Sequence, residues 1–292
     1  MTVLHINAST LGRFMSPEFC PRCMWILMKA KLPFQKSMPA VMFALERLEK
    51  RLLGAHIRET GEAPECFGCF GDAGAPLDIG LISYRDPETG VELAGIPDAV
   101  APLGDDSFLV IDYKTGLFKG KDDPWLPVYA AQVNAYAYLL AHQEEEYRVT
   151  RGGILYFEVE TDIEDDALLE SVTASGFGAH VRATPVEVKI RSDVTPLLLK
   201  RAKGLFRLEA PPEGRTGCRD CELLRSLMEL FRVAELADNL QTVGEAKQRA
   251  LMDRLMQSRL RHALRAATQG RGQCTHADVD PEAMIVWDFS AD

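Results

Sequence analysis

The sequence VELAGIPDAVAPLGDDSFLVIDYKTG, residues 91–116, contains two apolar segments separated by the turn-forming residues GDD. Apolar runs bounded by Gly and Asp predict strands, so we predict an antiparallel hairpin whose first strand covers 91–102. Alternate residues of a strand point to one face, so Asp112 and Lys114 lie on the same face of the second strand. An acid and a base therefore lie together among apolar neighbours that favour burial.

The predicted hairpin places a second acidic side chain opposite the first. If the turn is centred on Asp105, then Asp98 and Asp112 lie directly opposite each other, with Cβ atoms about 4.5–5.5 Å apart. Opposed carboxylates repel, so folding alone gives no reason for this arrangement, whereas a divalent cation such as Mg²⁺ between them does. Two alternatives remain open: a simple ion pair between Asp112 and Lys114, and a one-residue slip that moves Asp98 to the other face.

The composition is that of a globular protein. The chain has 292 residues, enough for one large or two modest domains, with 47% hydrophobic and 26% charged residues. No apolar run has the length of a membrane span, and the N-terminus lacks the order of a signal peptide, so we expect a soluble cytoplasmic protein. The net charge of −10 excludes a generally basic surface, although it allows a local basic groove.

Hydrophobic periodicity predicts an α/β fold with helices at both chain ends. The predicted helices cover residues 19–31, 38–59, 123–142 and 194–208, followed by a mostly helical region at 222–269. The predicted strands beyond the hairpin cover residues 78–84, 152–159 and 186–191. On the second helix, one apolar stripe is formed by Val41, Leu45, Leu48 and Leu52. Late arginines, from Arg249 to Arg265, form either a strand-contacting arm or an amphipathic cap.

The helix after the hairpin carries the sequence QVNAY, in which Gln132 and Tyr136 are four residues apart. This spacing places both side chains on one helical face, among apolar residues. A tyrosine there could instead extend its hydroxyl group to the surface.

The ordered segments GIPDAV, FLVIDYKTG and QVNAY resemble the PD-(D/E)XK nuclease superfamily, in its RecB-like exonuclease branch. That branch includes the exonuclease domains of bacterial recombination nucleases and CRISPR adaptation nucleases. The resemblance covers residues 7–221 and implies a restriction-endonuclease-like fold, with a mixed central sheet flanked by helices. We therefore predict a nuclease-like domain at 1–221, closed by cysteine pairs near both ends, and a C-terminal helical extension and tail at 222–292.

The resemblance implies an Mg²⁺- or Mn²⁺-dependent phosphodiesterase that acts on DNA, as an exo- or endonuclease on single strands or ends. Asp98 and Asp112 would bind one or two metal ions, with the backbone carbonyl of Tyr113 as a further ligand. The metal would activate a water molecule, and Lys114 would orient that water or neutralise developing charge. Gln132 and Tyr136 would line the active site.

One position departs from the family pattern. The family usually has a histidine on the second N-terminal helix, and here Glu46 best fills that place as a third metal ligand. A carboxylate suits a hard cation. Glu46 could also be a solvated helix residue, and His56 is the rival ligand.

Six of the seven cysteines form Cys-x-x-Cys pairs. Such spacing in a protein without export signals favours metal binding over disulfides. The pairs Cys20/Cys23 and Cys218/Cys221 resemble the segments that hold an iron–sulfur cluster in parts of the branch, where the usual pattern is one and three cysteines. Here the pattern is two and two, which suits either Zn²⁺ or a 4Fe-4S cluster, and reduced core cysteines remain the alternative.

The remaining cysteines, Cys66, Cys69 and Cys274, have less definite interpretations. The first two form the third pair, which either replaces one of the others at the metal or stays reduced, and Cys274 is interpreted as incidental. Three functional hypotheses therefore stand. They are a nuclease, a non-catalytic nucleic-acid-binding module on a nuclease scaffold, and a metal-stabilised interaction protein.

Overall fold

The computed structural model describes residues 3–30, 39–145, 147–162, 164, 169, 172–174 and 176–239. Its helices are α1 (Ala8–Gly12), α2 (Pro21–Ala30), α3 (Ala40–Thr60), α4 (Leu126–Leu140), α5 (Val194–Arg207) and α6 (Arg219–Asn239). Its strands are β1 (His5–Asn7), β2 (Ile82–Arg85), β3 (Glu92–Gly95), β4 (Ala99–Pro102), β5 (Phe108–Thr115), β6 (Val149–Val159), β7 (Val172–Thr173), β8 (Gly176–Phe177) and β9 (Val181–Val188). Short 3₁₀ segments cover Arg13–Met15, Glu65–Phe70 and Gly120–Asp122.

The strands form two mixed sheets and a small hairpin. In the first sheet, β3 pairs in parallel with β1 and antiparallel with β2. In the second, the order is β4-β5-β6-β9, with β5 and β6 parallel and the outer pairs antiparallel. The β7–β8 hairpin and β1 are short elements that the sequence did not predict. The mixed architecture with flanking helices confirms the predicted fold class.

The predicted hairpin register is confirmed. Ala99 pairs with Ile111 and Val100 with Val110, which are the partners that a turn centred on Asp105 requires. The turn closes with a hydrogen bond from the Leu103 backbone nitrogen to the Ser107 carbonyl oxygen at 2.7 Å. Continuing this register by one residue brings Asp98 toward Asp112.

The prediction of one continuous strand at 91–102 was wrong. The segment divides into β3 and β4, which lie in different sheets. Pro97 lies between them and cannot donate a ladder hydrogen bond, which explains why the strand is interrupted there. Gly95, the last residue of β3, has no room for a side chain, since a Cβ atom there would lie 2.7 Å from Cε1 of Tyr136. The break frees Asp98 from regular pairing.

Helix α4 is the central helix of the core. Its residues from Ala131 to Ala137 are all buried, as are Val128, Leu139 and Leu140. It packs against α1, α5, β5 and β6. A helix that is apolar on nearly all sides is stable only when it is surrounded by protein. Polar groups on α4 are therefore held in fixed positions beside β5.

The predicted apolar stripe on α3 is not the face that the helix buries. Val41, Leu48 and Leu52 are 68%, 48% and 61% exposed, whereas Glu49 is only 4% exposed. The helix contacts β5, and the side toward that strand carries Glu49. The apolar periodicity thus correctly predicted that this segment is a helix. It did not indicate which face of the helix is buried.

The chain divides into two compact units, Met1–Leu223 and Leu224–Asp292. In the second unit the structure describes the part of α6 up to Asn239, and the rest of the predicted helical region, with the late arginines and Cys274, lies outside the described residues. Within the described ranges, no helix has both the length and the apolar character needed to cross a membrane.

Candidate active site and cysteine cluster

Strand β5 supplies the central acid and base of the site. Asp112 is 1% exposed, and its Oδ2 lies 2.5 Å from Nζ of Lys114. The strand lies between β4 and β6, which fixes its backbone on both sides. Burial raises the pKa of Asp112 to about 7, with the positive charge of Lys114 lowering it and the negative charge of Asp98 raising it further. The ionised form of this buried carboxyl group would be stabilised by an additional cation.

Asp98 lies at the break between β3 and β4, where its carboxylate is held at both oxygens. Oδ2 accepts a hydrogen bond from the backbone nitrogen of Tyr113 at 2.8 Å, and Oδ1 lies 2.8 Å from Nζ of Lys50. The first contact orients Asp98 toward the strand that carries Asp112. The structure thus brings the two predicted acids to one place, as the register required.

Gln132 connects α4 to both catalytic candidates on β5. Its Nε2 donates to Asp112 Oδ1 and to the Tyr136 hydroxyl, each at 2.9 Å, and its Oε1 accepts from Lys114 Nζ at 3.2 Å. Gln132 and Tyr136 are 7% and 5% exposed. The Tyr136 hydroxyl therefore does not extend to the surface. The two residues brace the acid and the base, and Tyr129 adds an aromatic ring 4.8 Å from Lys114 Nζ.

Helix α3 carries two charged side chains that form ion pairs beside the site. Glu46, the predicted third ligand, is 48% exposed at its side chain and pairs with Lys50 at 2.9 Å. Lys50 in turn bridges Glu46 to Asp98, and burial, which lowers the pKa of Lys50, is outweighed by Asp98 and Glu46, which raise it above its usual range. The rival ligand His56 is exposed near the helix end.

Glu49 is a second acidic residue that sequence reasoning missed. Its Oε2 accepts a hydrogen bond from the Thr115 hydroxyl at 2.8 Å, while Oε1 has no hydrogen-bond partner. Burial raises the pKa of Glu49, and the Thr115 hydrogen bond partly offsets that effect. The four-residue spacing from Glu46 to Lys50 signals their ion pair, whereas no sequence signal indicates that Glu49 is buried.

The donor set suits a hard divalent cation. The carboxylates of Asp98 and Asp112 interact with each other, and oxygen ligands are what Mg²⁺ and Mn²⁺ prefer. Among the described residues, the two aspartates do not belong to any group of three or more histidine, cysteine or acidic side chains that could hold one ion. Asp98 and Asp112 are thus the side chains here that could hold such an ion.

The cysteines form a second cluster far along the chain from the acids. One ligand atom from each of Cys20, Cys23, Cys218 and Cys221 lies within 4.8 Å of the others. The closest sulfur pairs are Cys20 with Cys221 at 3.5 Å, and Cys23 with Cys218 and with Cys221 at 3.6 Å. Each pair lies at the start of a helix, the first at α2 and the second at α6. The group could bind a metal ion.

The surroundings of the cluster lower the pKa of the Cys20 thiol and raise the pKa values of Cys23 and Cys221. Burial alone would raise the pKa of Cys20, but backbone hydrogen bonds from Cys23 and Arg215, with the neighbouring thiols, lower it to about 7. Burial and the thiols of Cys20 and Cys218 raise the pKa of Cys221 to about 11, while the hydrogen bond with Cys23 lowers it in part. The third pair is separate, since half-buried Cys66 and exposed Cys69 lie on the 3₁₀ segment Glu65–Phe70 and not in this cluster.

The sequence pattern of the PD-(D/E)XK nuclease superfamily matches residues 26–226, which is most of the chain. The chain therefore belongs to the PD-(D/E)XK nuclease superfamily, as the ordered motifs predicted. No curated protein matches the chain.

Three solved structures are similar to this chain at low sequence identity. SSO0001 is 14% identical, with a TM-score of 0.39, and the match covers 73% of this chain and 81% of that one. An alkaline exonuclease (LHK-Exo) from Laribacter hongkongensis is 15% identical, with a TM-score of 0.35 and coverage of 79% and 93%. A phage-related exonuclease from Haemophilus somnus 129PT is 12% identical, with a TM-score of 0.37 and coverage of 70% and 93%.

Proposed function

We propose that this protein is an Mg²⁺- or Mn²⁺-dependent nuclease that hydrolyses phosphodiester bonds in DNA, at single strands or ends. The observation that carries the proposal is the convergence of Asp98 and Asp112 beside Lys114 and Gln132, in a chain of a nuclease superfamily. The preference for DNA follows the resemblance of the ordered motifs to RecB-like exonucleases.

The proposed metal site consists of Asp98, Asp112 and the backbone carbonyl of Tyr113, with Glu46 as a further ligand if Lys50 moves away. When bound, the ion lowers the pKa of a water molecule and stabilises charge on the phosphate. Lys114 contributes a compact positive charge beside Asp112, suited to orienting that water or neutralising the phosphate. Gln132 holds Asp112 and Lys114 in register, and the hydroxyl of Tyr136 holds Gln132.

We also propose that the cysteine cluster binds one structural Zn²⁺ ion. At Zn–S distances of about 2.3 Å, a tetrahedron has sulfur–sulfur edges of about 3.8 Å. The closest sulfurs here are 3.5–3.6 Å apart and all lie within 4.8 Å. In a 4Fe-4S cluster each thiolate binds a different iron, which separates the sulfurs by more than a single ligand sphere. The compact spacing supports a single ion over a cluster.

We further propose that residues 1–221 form the nuclease domain and that residues 222–292 form a C-terminal extension. It is supported by the compact unit that ends at Leu223. The cysteines near the proposed ends, Cys20 and Cys221, contact each other across 201 residues. A metal there would close the domain.

The deciding experiment measures cleavage of end-labelled single-stranded DNA, duplex DNA and RNA by the full chain, with Mn²⁺, with Mg²⁺ and with EDTA. We expect metal-dependent DNA cleavage that falls by at least about a thousandfold in Asp112→Ala, because the lost metal contact stabilises the reaction by several kcal/mol. The matched control is Asp193→Ala, which removes an exposed acid paired with Arg191.

Each outcome of this experiment discriminates between the hypotheses. Cleavage of RNA alone would reject the DNA substrate and retain the nuclease. DNA binding without cleavage under any metal would favour the non-catalytic module, and neither binding nor cleavage would favour the interaction protein. Unchanged cleavage by Asp112→Ala would reject the carboxylate centre.

A further inference from the structure

The ammonium group of Lys50 lies where a cation would contact Asp98. Its Nζ is 2.8 Å from Asp98 Oδ1 and 2.9 Å from Glu46 Oε1. The other oxygen of Asp98 accepts the backbone N–H of Tyr113 at 2.8 Å. Because that backbone contact is part of the strand arrangement, Oδ1 is the oxygen open to a metal, and the ammonium group now holds it.

A protonated lysine and a metal ion cannot use this oxygen in the same way at the same time. The ammonium donates hydrogen bonds and never serves as a metal ligand while it is protonated. Mg²⁺ requires oxygen ligands at about 2.0–2.1 Å and would experience repulsion from a positive nitrogen on the same oxygen. Binding of the metal therefore requires Nζ to leave Oδ1.

We propose that Lys50 is an intramolecular competitor of the divalent metal at Asp98. This inference rests on the proposed function, because it takes Asp98 to be a metal ligand. Departure of Lys50 also releases Oε1 of Glu46, which then becomes available as the third ligand. Glu46 can therefore act as a metal ligand only when Lys50 has moved away from it.

The structure allows Lys50 to move more readily than Lys114. The Lys50 side chain is 44% exposed on α3, whereas that of Lys114 is 20% exposed. Lys114 is held by Asp112, by Gln132 and by the ring of Tyr129. A flexible four-carbon stem lets the Lys50 ammonium swing outward while it stays beside the site. There, a phosphate of the nucleic acid is the anion with which it could pair.

The test measures Mn²⁺ binding by titration calorimetry to the full chain in metal-free buffer, without nucleic acid. We expect the Kd for Mn²⁺ to be about two- to fivefold lower in Lys50→Met than in the wild type, the effect of removing one competing ion pair. Lys50→Arg retains a competing cation and should stay near the wild-type Kd. Lys200→Met is the matched control, since it breaks a surface pair with Glu88 of 2.7 Å.

A second substitution, Lys50→Gln, guards against a local packing effect of the methionine, and circular dichroism checks that each variant is folded. Unchanged or weaker Mn²⁺ binding in both Lys50 variants, with binding lost in Asp98→Asn, would overturn the inference and leave the proposed function standing. Absence of Mn²⁺ binding in wild type and Lys50 variants alike would overturn both. If the Lys50 variants bound Mn²⁺ and the wild type did not, the result would support the competition most strongly.

Discussion

Gln132 donates a hydrogen bond from Nε2 to Oδ1 of Asp112 at 2.9 Å, and through this bond a buried helix orients the acid of a buried strand. The same side chain accepts from Lys114, so one amide fixes both members of the D-x-K pair. An amide can do this because it presents a donor and an acceptor on one planar group. Asp112 and Lys114 are therefore held in place before any ligand arrives.

Replacement of Gln132 should affect stability and proposed catalysis together. Gln132→Ala leaves Asp112 and the Tyr136 hydroxyl without their shared donor, and a buried unpaired group costs about 1–3 kcal/mol. We expect a lower melting temperature and at least about tenfold slower DNA cleavage. Tyr136→Phe removes only the hydroxyl and should be milder in both assays. Equal effects of the two substitutions would contradict the central role of the amide.

Lys114→Ala should separate metal binding from turnover. The ammonium is not a metal ligand, and its removal leaves the oxygens of Asp98 and Asp112 in place. We expect Mn²⁺ affinity to be at least as high as in the wild type, while cleavage falls by about a hundredfold or more because a charge aimed at the reaction is lost. Calorimetry and single-turnover cleavage measure the two effects, with Lys200→Ala as control. If the variant lost Mn²⁺ affinity but cleaved DNA at the wild-type rate, the proposed role of Lys114 would be wrong.

The pH dependence of stability should report on Asp112. Its pKa is raised from 3.8 to about 7 in the folded protein, so between these values the folded state retains a proton that the unfolded chain has lost. This contribution to stability is fully present below about pH 4 and is lost as pH rises through about 7.

We therefore expect the metal-free wild type to lose several °C of melting temperature between pH 5 and pH 8, relative to Asp112→Asn, which cannot titrate at this position. Thermal melts of both proteins in EDTA-free, metal-free buffer give the difference. Mn²⁺ affinity should rise over the same interval, since the ion binds the carboxylate form. Parallel melting curves for the two proteins would show that Asp112 is already ionised at pH 5.

Cys218→Ser should release the metal of the cysteine cluster and lower the melting temperature. A structural metal contributes folding free energy directly, because the site does not exist in the unfolded chain. Metal analysis of anaerobically purified protein should find zinc in the wild type and much less in Cys218→Ser. The control is Cys69→Ser, since Cys69 is exposed and lies outside the cluster.

Other results would change this assignment. Iron together with an absorbance band at about 400 nm would identify an iron–sulfur cluster in place of the single Zn²⁺ ion. Stoichiometric zinc retained in Cys218→Ser would mean that the metal is bound elsewhere, and absence of both metals would leave the four thiols as reduced core cysteines.

Local patterns were sufficient where the geometry repeats over a few residues. The positions of Gly and Asp fixed the turn, and the two-residue period of a strand then fixed which residues oppose each other, as the Ala99–Ile111 pair shows. The spacing of Gln132 and Tyr136 likewise placed them on one helical face, where they share a hydrogen bond.

Tertiary packing decided the relationships between segments that are distant in sequence. The apolar stripe on α3 did not indicate its buried face, because β5 contacts the side that carries Glu49 and leaves Leu48 exposed. Lys50 reaches Asp98 only because that packing brings α3 over the break at Pro97. The sulfur contact between Cys20 and Cys221 spans 201 residues, and no local period carries information over that distance. The sequence alone therefore determined the register and the identity of the catalytic candidates, whereas the packing of distant elements determined which charges surround them.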